Sequence, residues 1–250
     1  MKEEIKLEKG YSILTLEDSN SNVIRTLFTG NSHQSVTYTN ELKYELYDKF
    51  TNLYKVCDTH KEDISNVLVL GGGGFSYPKY YISKYKNRYM DVVEIDEYLI
   101  EVAKKYFYLD ELYEEHDKEK ERLNIVIDDA FKYIYETDKH YDSILVDLFI
   151  DNKPIQKTFE EDTLKQLKSI LKEDGIVTIN YIITKEDSNY EQLKKDLKNL
   201  RKMFKNMKIL TTIKFYENKR GNIFIICSNY QINVNEESNI FEINKYDWYN

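Results

Sequence analysis

Apolar and polar residues alternate twice near the start of the chain, over Tyr11–Leu16 and Val23–Phe28, with the six polar residues Glu17 to Asn22 between the runs. Alternation with period two sends every second side chain to one face, so the pair reads as a β-hairpin. A third strand includes Gln34 to Tyr38. Leu42, Leu46, Phe50 and Leu53 then recur at helical spacing behind Asn40, a residue suited to cap, and predict a helix. Beyond it the pattern changes. Val67–Leu70 is a continuous apolar run with β propensity, Tyr89–Asp96, Asn124–Ile127 and Tyr141–Val146 read as further strands, and helix-length segments separate them. A further helix is expected around Phe159 to Leu171, ended by Asp174-Gly175, which leads into a fifth strand. Leu193, Leu197, Leu200 and Phe204 make the apolar stripe of an outer helix, whose flanking Lys194, Lys195, Lys198, Arg201, Lys202 and Lys205 read as its solvated face. Lys208–Phe215 and Asn222–Cys227 close the pattern as an antiparallel hairpin. Strands alternating with helices predict an α/β fold, a doubly wound, mostly parallel, seven-stranded sheet with a small N-terminal β-hairpin appendage. The expected division is residues 1–39 for the appendage, 40–228 for the main domain and 229–250 for a tail.

Candidate chemistry enters at the first buried strand. Gly71, Gly72, Gly73 and Gly74 follow it directly and use half of the eight glycines in the chain. Such a turn lets the backbone approach a ligand closely. Ser76 is suited to cap the next helix and Pro78 fits its first turn. The next strand ends in Glu94 and Asp96, about 20 residues on, where an acid accepts hydrogen bonds from ribose hydroxyls. Glu94 is the first choice for that role. With Gly71 and Gly73 as the first two glycines of a dinucleotide fingerprint, the third falls on Ser76, which disfavours a pyrophosphate-gripping site. A cofactor without phosphates suits the turn better, and S-adenosylmethionine is the candidate. Two later strands also run into acids, Asp128-Asp129 and Asp147. Ligands of open α/β sheets bind beyond the carboxyl ends of the strands, so these acids are expected in one crevice. Asp129 is placed to accept from an adenine amino group and Asp147 to lie nearer the reacting atoms.

Composition narrows the partners. The 250 residues carry a net charge of -8, which gives no electrostatic footprint for duplex binding and disfavours a nucleic-acid partner. Two distant cysteines and four dispersed histidines make no metal spacing, so no metal is expected. The opening Met1 to Glu8 lacks the apolar core of a signal peptide and no run is long enough to span a bilayer, which predicts a cytoplasmic protein with no membrane partner.

The segment Gly71 to Tyr80, with Glu94-Ile95-Asp96 and Asp128-Asp129-Ala130, resembles the spermidine-synthase-like branch of the class I S-adenosylmethionine-dependent methyltransferase fold, a Rossmann-like architecture. Gly30 to Ser35 is similar to the glutamine-bearing segment that lies over the cofactor there. The resemblance implies cofactor contacts from Gln34, Gly71, Gly72, Gly73, Glu94, Asp96, Asp128 and Asp129. It also implies that the N-terminal hairpin serves a homodimer. The chain departs from that branch after the fourth strand, where aminopropyltransferases carry an aspartate, two small residues and a second, catalytic aspartate. Here Asp147-Leu148-Phe149-Ile150-Asp151 puts Ile150 at that place and Asp151 one residue later. Where the branch has a polyamine-gripping glutamate, the chain reads Ile179-Asn180-Tyr181-Ile182. The first reading is therefore methyl transfer from S-adenosylmethionine to a small-molecule acceptor, with Asp147 or Asp151 orienting or deprotonating it. The alternatives are aminopropyl transfer from decarboxylated S-adenosylmethionine to a diamine and a non-catalytic nucleoside-binding module.

Overall fold

The computed structural model describes residues 3–47, 53–118, 121–150, 153–183, 187–212, 221–233 and 240–242. Its N-terminal part is a four-stranded antiparallel sheet in the order β1 (Glu3–Lys6), β2 (Tyr11–Glu17), β3 (Val23–Thr29), β4 (Ser32–Tyr38). The expected hairpin is its centre, β2 with β3, paired from Tyr11↔Thr29 to Glu17↔Val23. β4 carries a bulge: Leu27 faces Ser35 and Phe28 faces His33, so Gln34 is the extra residue.

The helix expected behind Asn40 is absent from residues 41–47, which form turns, and Phe50 lies outside the described residues. Asn40 does accept from the Leu42 amide at 3.0 Å, but only to stabilise a turn. The carbonyl of Lys43 accepts from the Thr37 hydroxyl and the Lys79 ammonium instead of a helical amide. The helix in this region is α1 (Tyr54–Thr59).

The larger sheet contains β5 (Asn66–Leu70), β6 (Tyr89–Glu94), β7 (Leu123–Ile127), β8 (Tyr141–Val146) and, after the two short strands β9 (Phe149–Ile150) and β10 (Lys153–Pro154) that pair only with each other, β11 (Leu171–Ile183). It is completed by β12 (Asn206–Thr212), β13 (Gly221–Ser228) and β14 (Ile240–Glu242). The order is β14-β12-β13-β11-β8-β5-β6-β7, parallel from β11 to β7 and antiparallel beyond. The seven expected strands are all present, and Ile240–Glu242 adds an eighth at the edge of β12.

The helices α2 (Ser76–Lys84), α3 (Glu97–Tyr106) and α4 (Leu109–His116) lie with α1 on one face, while α5 (Ala130–Glu136), α6 (Glu161–Ser169) and α7 (Asp187–Met203) cover the other. Strand residues divide between the two cores by parity, with Val67 and Val69 in the first and Leu68 and Leu70 in the second. Ile13 and Leu27 of the small sheet join the first core, which ties that sheet to the glycine-turn side. The outer-helix stripe of Leu193, Leu197, Leu200 and Phe204 is buried as expected, and its basic flank is exposed, with Lys194 paired to Glu191. Asp174-Gly175 does not terminate a helix. It sits inside β11 where the register with β8 shifts, and α6 has already ended at Ser169.

Asp142 pins the opposite end of the sheet from the strand-end acids. Burial opposes its ionisation, but the amides of Asn66 and Ser65 and the ammonium groups of Lys172 and Lys61, all within 3.0 Å, hold its carboxyl at about 2. A depressed native value stabilises the fold above the unfolded value near 4, and the contribution, about 2 kcal/mol, disappears as pH falls from about 4 to 2. Asp142→Ala is expected to cost about 3–5 kcal/mol at pH 7 in urea unfolding, because buried donors lose their acceptor. The gap between variant and wild type should narrow by pH 2.

Candidate active site

The parallel register sets the strand-end residues in a row. Ile179 pairs with Val146, Leu70 with Val146 and Val93, and Glu94 with Ile127. Asn180, Asp147, Gly71, Glu94 and Asp128 therefore follow one another across the carboxyl edge of β11, β8, β5, β6 and β7, where an open α/β sheet places its ligand. Backbone bonds lock the row: Asp147 N donates to Leu70 O, Gly71 N to Val93 O and Asp128 N to Glu94 O.

Gly71 has φ +96 and Gly73 has φ +51, conformations that favour glycine. A Cβ on Gly71 would lie 2.4 Å from the Asp147 carbonyl oxygen. The turn thus runs against the backbone of the acid proposed for chemistry. Glu94 is buried and organises the turn: its Oε2 accepts from the amides of Gly72 and Gly73 at 2.9 and 3.2 Å, and its Oε1 from the Asp96 amide at 2.9 Å. Each carboxylate oxygen accepts more than one hydrogen bond, so the carboxylate retains acceptor capacity.

Asp96 caps α3 by accepting from the Tyr98 amide at 3.0 Å, and it receives Lys9 at 2.7 Å and the Tyr11 hydroxyl at 3.1 Å. Burial opposes its ionisation, yet Lys9, the Tyr98 amide and Tyr11 together hold its carboxyl below the usual range. Its oxygens are engaged in docking the small sheet onto β6. Asp129 caps α5 through the Phe131 amide at 2.8 Å. Asp128 accepts from the Asp129 amide and Lys132, and the Lys132 hydrogen bond lowers its carboxyl. Ile95 and Ile127, 69% and 53% exposed, stand next to Glu94 and Asp128 and present apolar surface at the same edge.

Ser76 does not cap α2. Phe75 takes the cap position with φ +57, and the Ser76 hydroxyl donates to the Val36 carbonyl at 2.8 Å. The Ser35 hydroxyl accepts from the Gly74 amide at 2.8 Å, so β4 is stitched along the glycine turn. Gln34, next to Ser35, is exposed beside that turn. His33 is exposed and packs edge-on against Phe28 at 5.3 Å.

Asp147 has the most specific surroundings. Its Oδ2 accepts from the Tyr54 hydroxyl and its Oδ1 from the Asn180 amide, both at 2.8 Å. Burial raises its carboxyl above the ordinary value, and the bonds from Tyr54 and Asn180 oppose that rise. Burial likewise holds the Tyr54 hydroxyl well above the usual tyrosine range, and the Asp147 charge adds to it. Tyr54 is wedged between Tyr77, stacked at 5.1 Å, and Phe224, edge-on at 5.0 Å. Asp151 lies outside the described residues. Sequence patterns missed Tyr54 and gave Asn180 no role. The one available signal was an amide inside the buried apolar run of β11. Among the described residues no group of three or more His, Cys, Asp or Glu is placed to hold a metal, and no helix is long and apolar enough to cross a membrane.

A sequence profile described as spermine/spermidine synthase domain matches residues 52–238. The polyamine aminopropyltransferase of Methanocaldococcus jannaschii is 38% identical over 112 residues, 45% of this chain and 37% of that protein. The enzyme of the same name from Saccharolobus solfataricus is 41% identical over 119 residues, 45% of this chain and 38% of that protein. The matched stretches thus span well under half the length of these relatives. The crystal structure of a probable spermidine synthase from Corynebacterium glutamicum superposes with a TM-score of 0.74 at 17% identity, covering 95% of this chain and 84% of that one. A profile that covers most of the chain, on a glycine turn and strand-end acids arranged as described, makes this chain a member of the spermine/spermidine synthase family.

Proposed function

We propose that the protein transfers an aminopropyl group from decarboxylated S-adenosylmethionine to a small amine, with Asp147 as the proton acceptor. The observation that carries this reading is the Asp147 carboxylate, fixed by Tyr54 and Asn180 directly against the glycine turn. A base that takes a proton from an attacking group must be positioned before it is matched in pKa, and this one is positioned from two sides. The amine nitrogen attacks the carbon bonded to the sulfonium. The carbon–sulfur bond breaks, sulfur keeps the electron pair as methylthioadenosine leaves, and the proton lost from nitrogen passes to Asp147.

Glu94 takes the ribose hydroxyls, Asp128 and Asp129 the adenine side, and Gly71, Gly72 and Gly73 allow close approach, with Gln34 alongside. Asp96 braces this edge through the small sheet. The names of the relatives favour aminopropyl over methyl transfer. The row of carboxylates and amides points the same way, since it suits ammonium groups on donor and acceptor better than the carboxylate of S-adenosylmethionine.

Calorimetric titration with S-adenosylmethionine, its decarboxylated form and methylthioadenosine tests the reading, followed by incubation with a short diamine. The decarboxylated donor is expected to bind about tenfold or more tightly than S-adenosylmethionine, a difference of about 1.4 kcal/mol. The reverse preference restores methyl transfer. Binding without turnover on any amine indicates a nucleoside-binding module, and binding of none of the three removes the donor assignment.

A further inference from the structure

Asp147 and its partners form a chain of hydrogen bonds with a direction. Asn222 on β13 donates its Nδ2 to Asn180 Oδ1 at 3.0 Å, Asn180 donates its Nδ2 to Asp147 Oδ1 at 2.8 Å, and Tyr54 donates to the other carboxylate oxygen. We propose that Asn222 is a positioning residue that fixes which end of the Asn180 amide faces Asp147, and that this polarity keeps the carboxylate ionised and able to receive a proton.

The argument starts from the two ends of an amide, which are alike in shape and opposite in hydrogen bonding. An ionised carboxylate only accepts, so Asn180 serves it with the NH₂ end alone. Asn180 is 3% exposed in the middle of the sheet, where the two ends of its amide are alike in shape. Asn222 makes the choice by donating to the oxygen end. The antiparallel register, with Tyr181 opposite Ile223 and Ile182 opposite Asn222, holds it diagonally across from Asn180. The hydroxyl of Tyr54 rotates and carries no such polarity, so the direction of the chain rests on the two asparagines.

Among the described residues, the charged and titratable surroundings are few. Tyr54 faces Asp147 from α1, with Cys57 behind it, Asn180 faces it from β11, and Asn222 reaches it through Asn180. Burial raises the Asp147 carboxyl and the two donors oppose the rise, so an Asn180 turned end for end removes one stabilising bond and substitutes an oxygen. Asp147 then pairs with it only by keeping its proton. A base that keeps its proton takes none from the acceptor.

This inference rests on the reading of Asp147 as proton acceptor, and its test separates the two. The probe is the titration of the Asp147 side-chain carbon by NMR in the protein labelled at aspartate, identified by its loss in Asp147→Asn, alongside the pH profile of kcat/KM. Asn222→Asp accepts from the Asn180 NH₂ end and turns the amide around. It is expected to raise the Asp147 titration by about one pH unit or more and to move the acid limb of kcat/KM with it.

A new charge alone raises the value too, so the substitution is repeated in an Asn180→Leu background, which has no amide to turn. The relay predicts that most of the Asn222→Asp shift vanishes there. An equal shift in both backgrounds, or none in either, overturns the proposal. Asn222→Lys offers Asn180 only donors and is expected to leave the Asp147 titration at or below its wild-type value. A rise as large as that of Asn222→Asp also overturns it. If the NMR coupling holds while the acid limb of kcat/KM stays fixed, the polarity stands and the role of Asp147 in turnover fails.

Discussion

Asp147→Asn is expected to lower turnover by roughly 10²-fold or more while leaving donor affinity within about threefold of wild type. The substitution is close to isosteric, and its surroundings tolerate it. The new carboxamide oxygen accepts from Asn180, and its NH₂ end meets the Tyr54 hydroxyl, which turns to accept. The packing of Tyr54 between Tyr77 and Phe224 is untouched. What disappears is the site that takes the proton of the attacking amine. In the wild type, kcat/KM should rise with pH as the carboxyl ionises, at a value above the ordinary carboxylate range because burial raises it. The variant should lack that limb. Methylthioadenosine release in single turnovers across pH, with donor affinity by calorimetry, provides the measurement. Turnover equal to wild type would remove Asp147 from the mechanism.

Gly71→Ala is expected to destabilise the fold by about 2–4 kcal/mol, combining the strain of a positive φ with overpacking, and to abolish donor binding at concentrations that saturate the wild type. The new methyl would stand 2.4 Å from the Asp147 carbonyl oxygen and 3.2 Å from its carbon. Both atoms are backbone and cannot rotate away. Gly71 N is bonded to Val93 O and Asp147 N to Leu70 O, so relief requires parting β5 from β6 or β8 where the proposed ligand contacts converge. Gly10→Ala is the control. Its φ is +77 with nothing within 4 Å of a built Cβ, so it should cost only about 1 kcal/mol and leave donor affinity unchanged. Denaturant unfolding of both variants with donor titration distinguishes crowding at the turn from the general cost of left-handed backbone. Similar losses in both would show that close approach at Gly71 is unimportant.

Local pattern alone was enough to place the strands of the main sheet, the glycine turn and the strand-end acids. A strand buried on both faces favours a short apolar run, as Val67–Leu70 is, and a tight approach requires glycine, as at Gly71. Asp96 and Asp129, read from the sequence as ligand contacts, also cap helices in the structure. Features that depend on neighbours distant in the chain were set by packing and register. The apolar spacing after Asn40 suits a helix, but Thr37 and Lys79 claim the Lys43 carbonyl and residues 41–47 turn instead. Ser76 has a capping side chain, but β4 offers it the Val36 carbonyl. The surroundings of Asp147 were least legible of all, since Tyr54, Asn180 and Asn222 come from a helix and two strands spread over 168 positions of the chain. No local pattern marks residues whose only common property is hydrogen bonding in series to one carboxylate; sheet register aligns the two asparagines, and the packing of Tyr54 against Tyr77 and Phe224 brings in the helix.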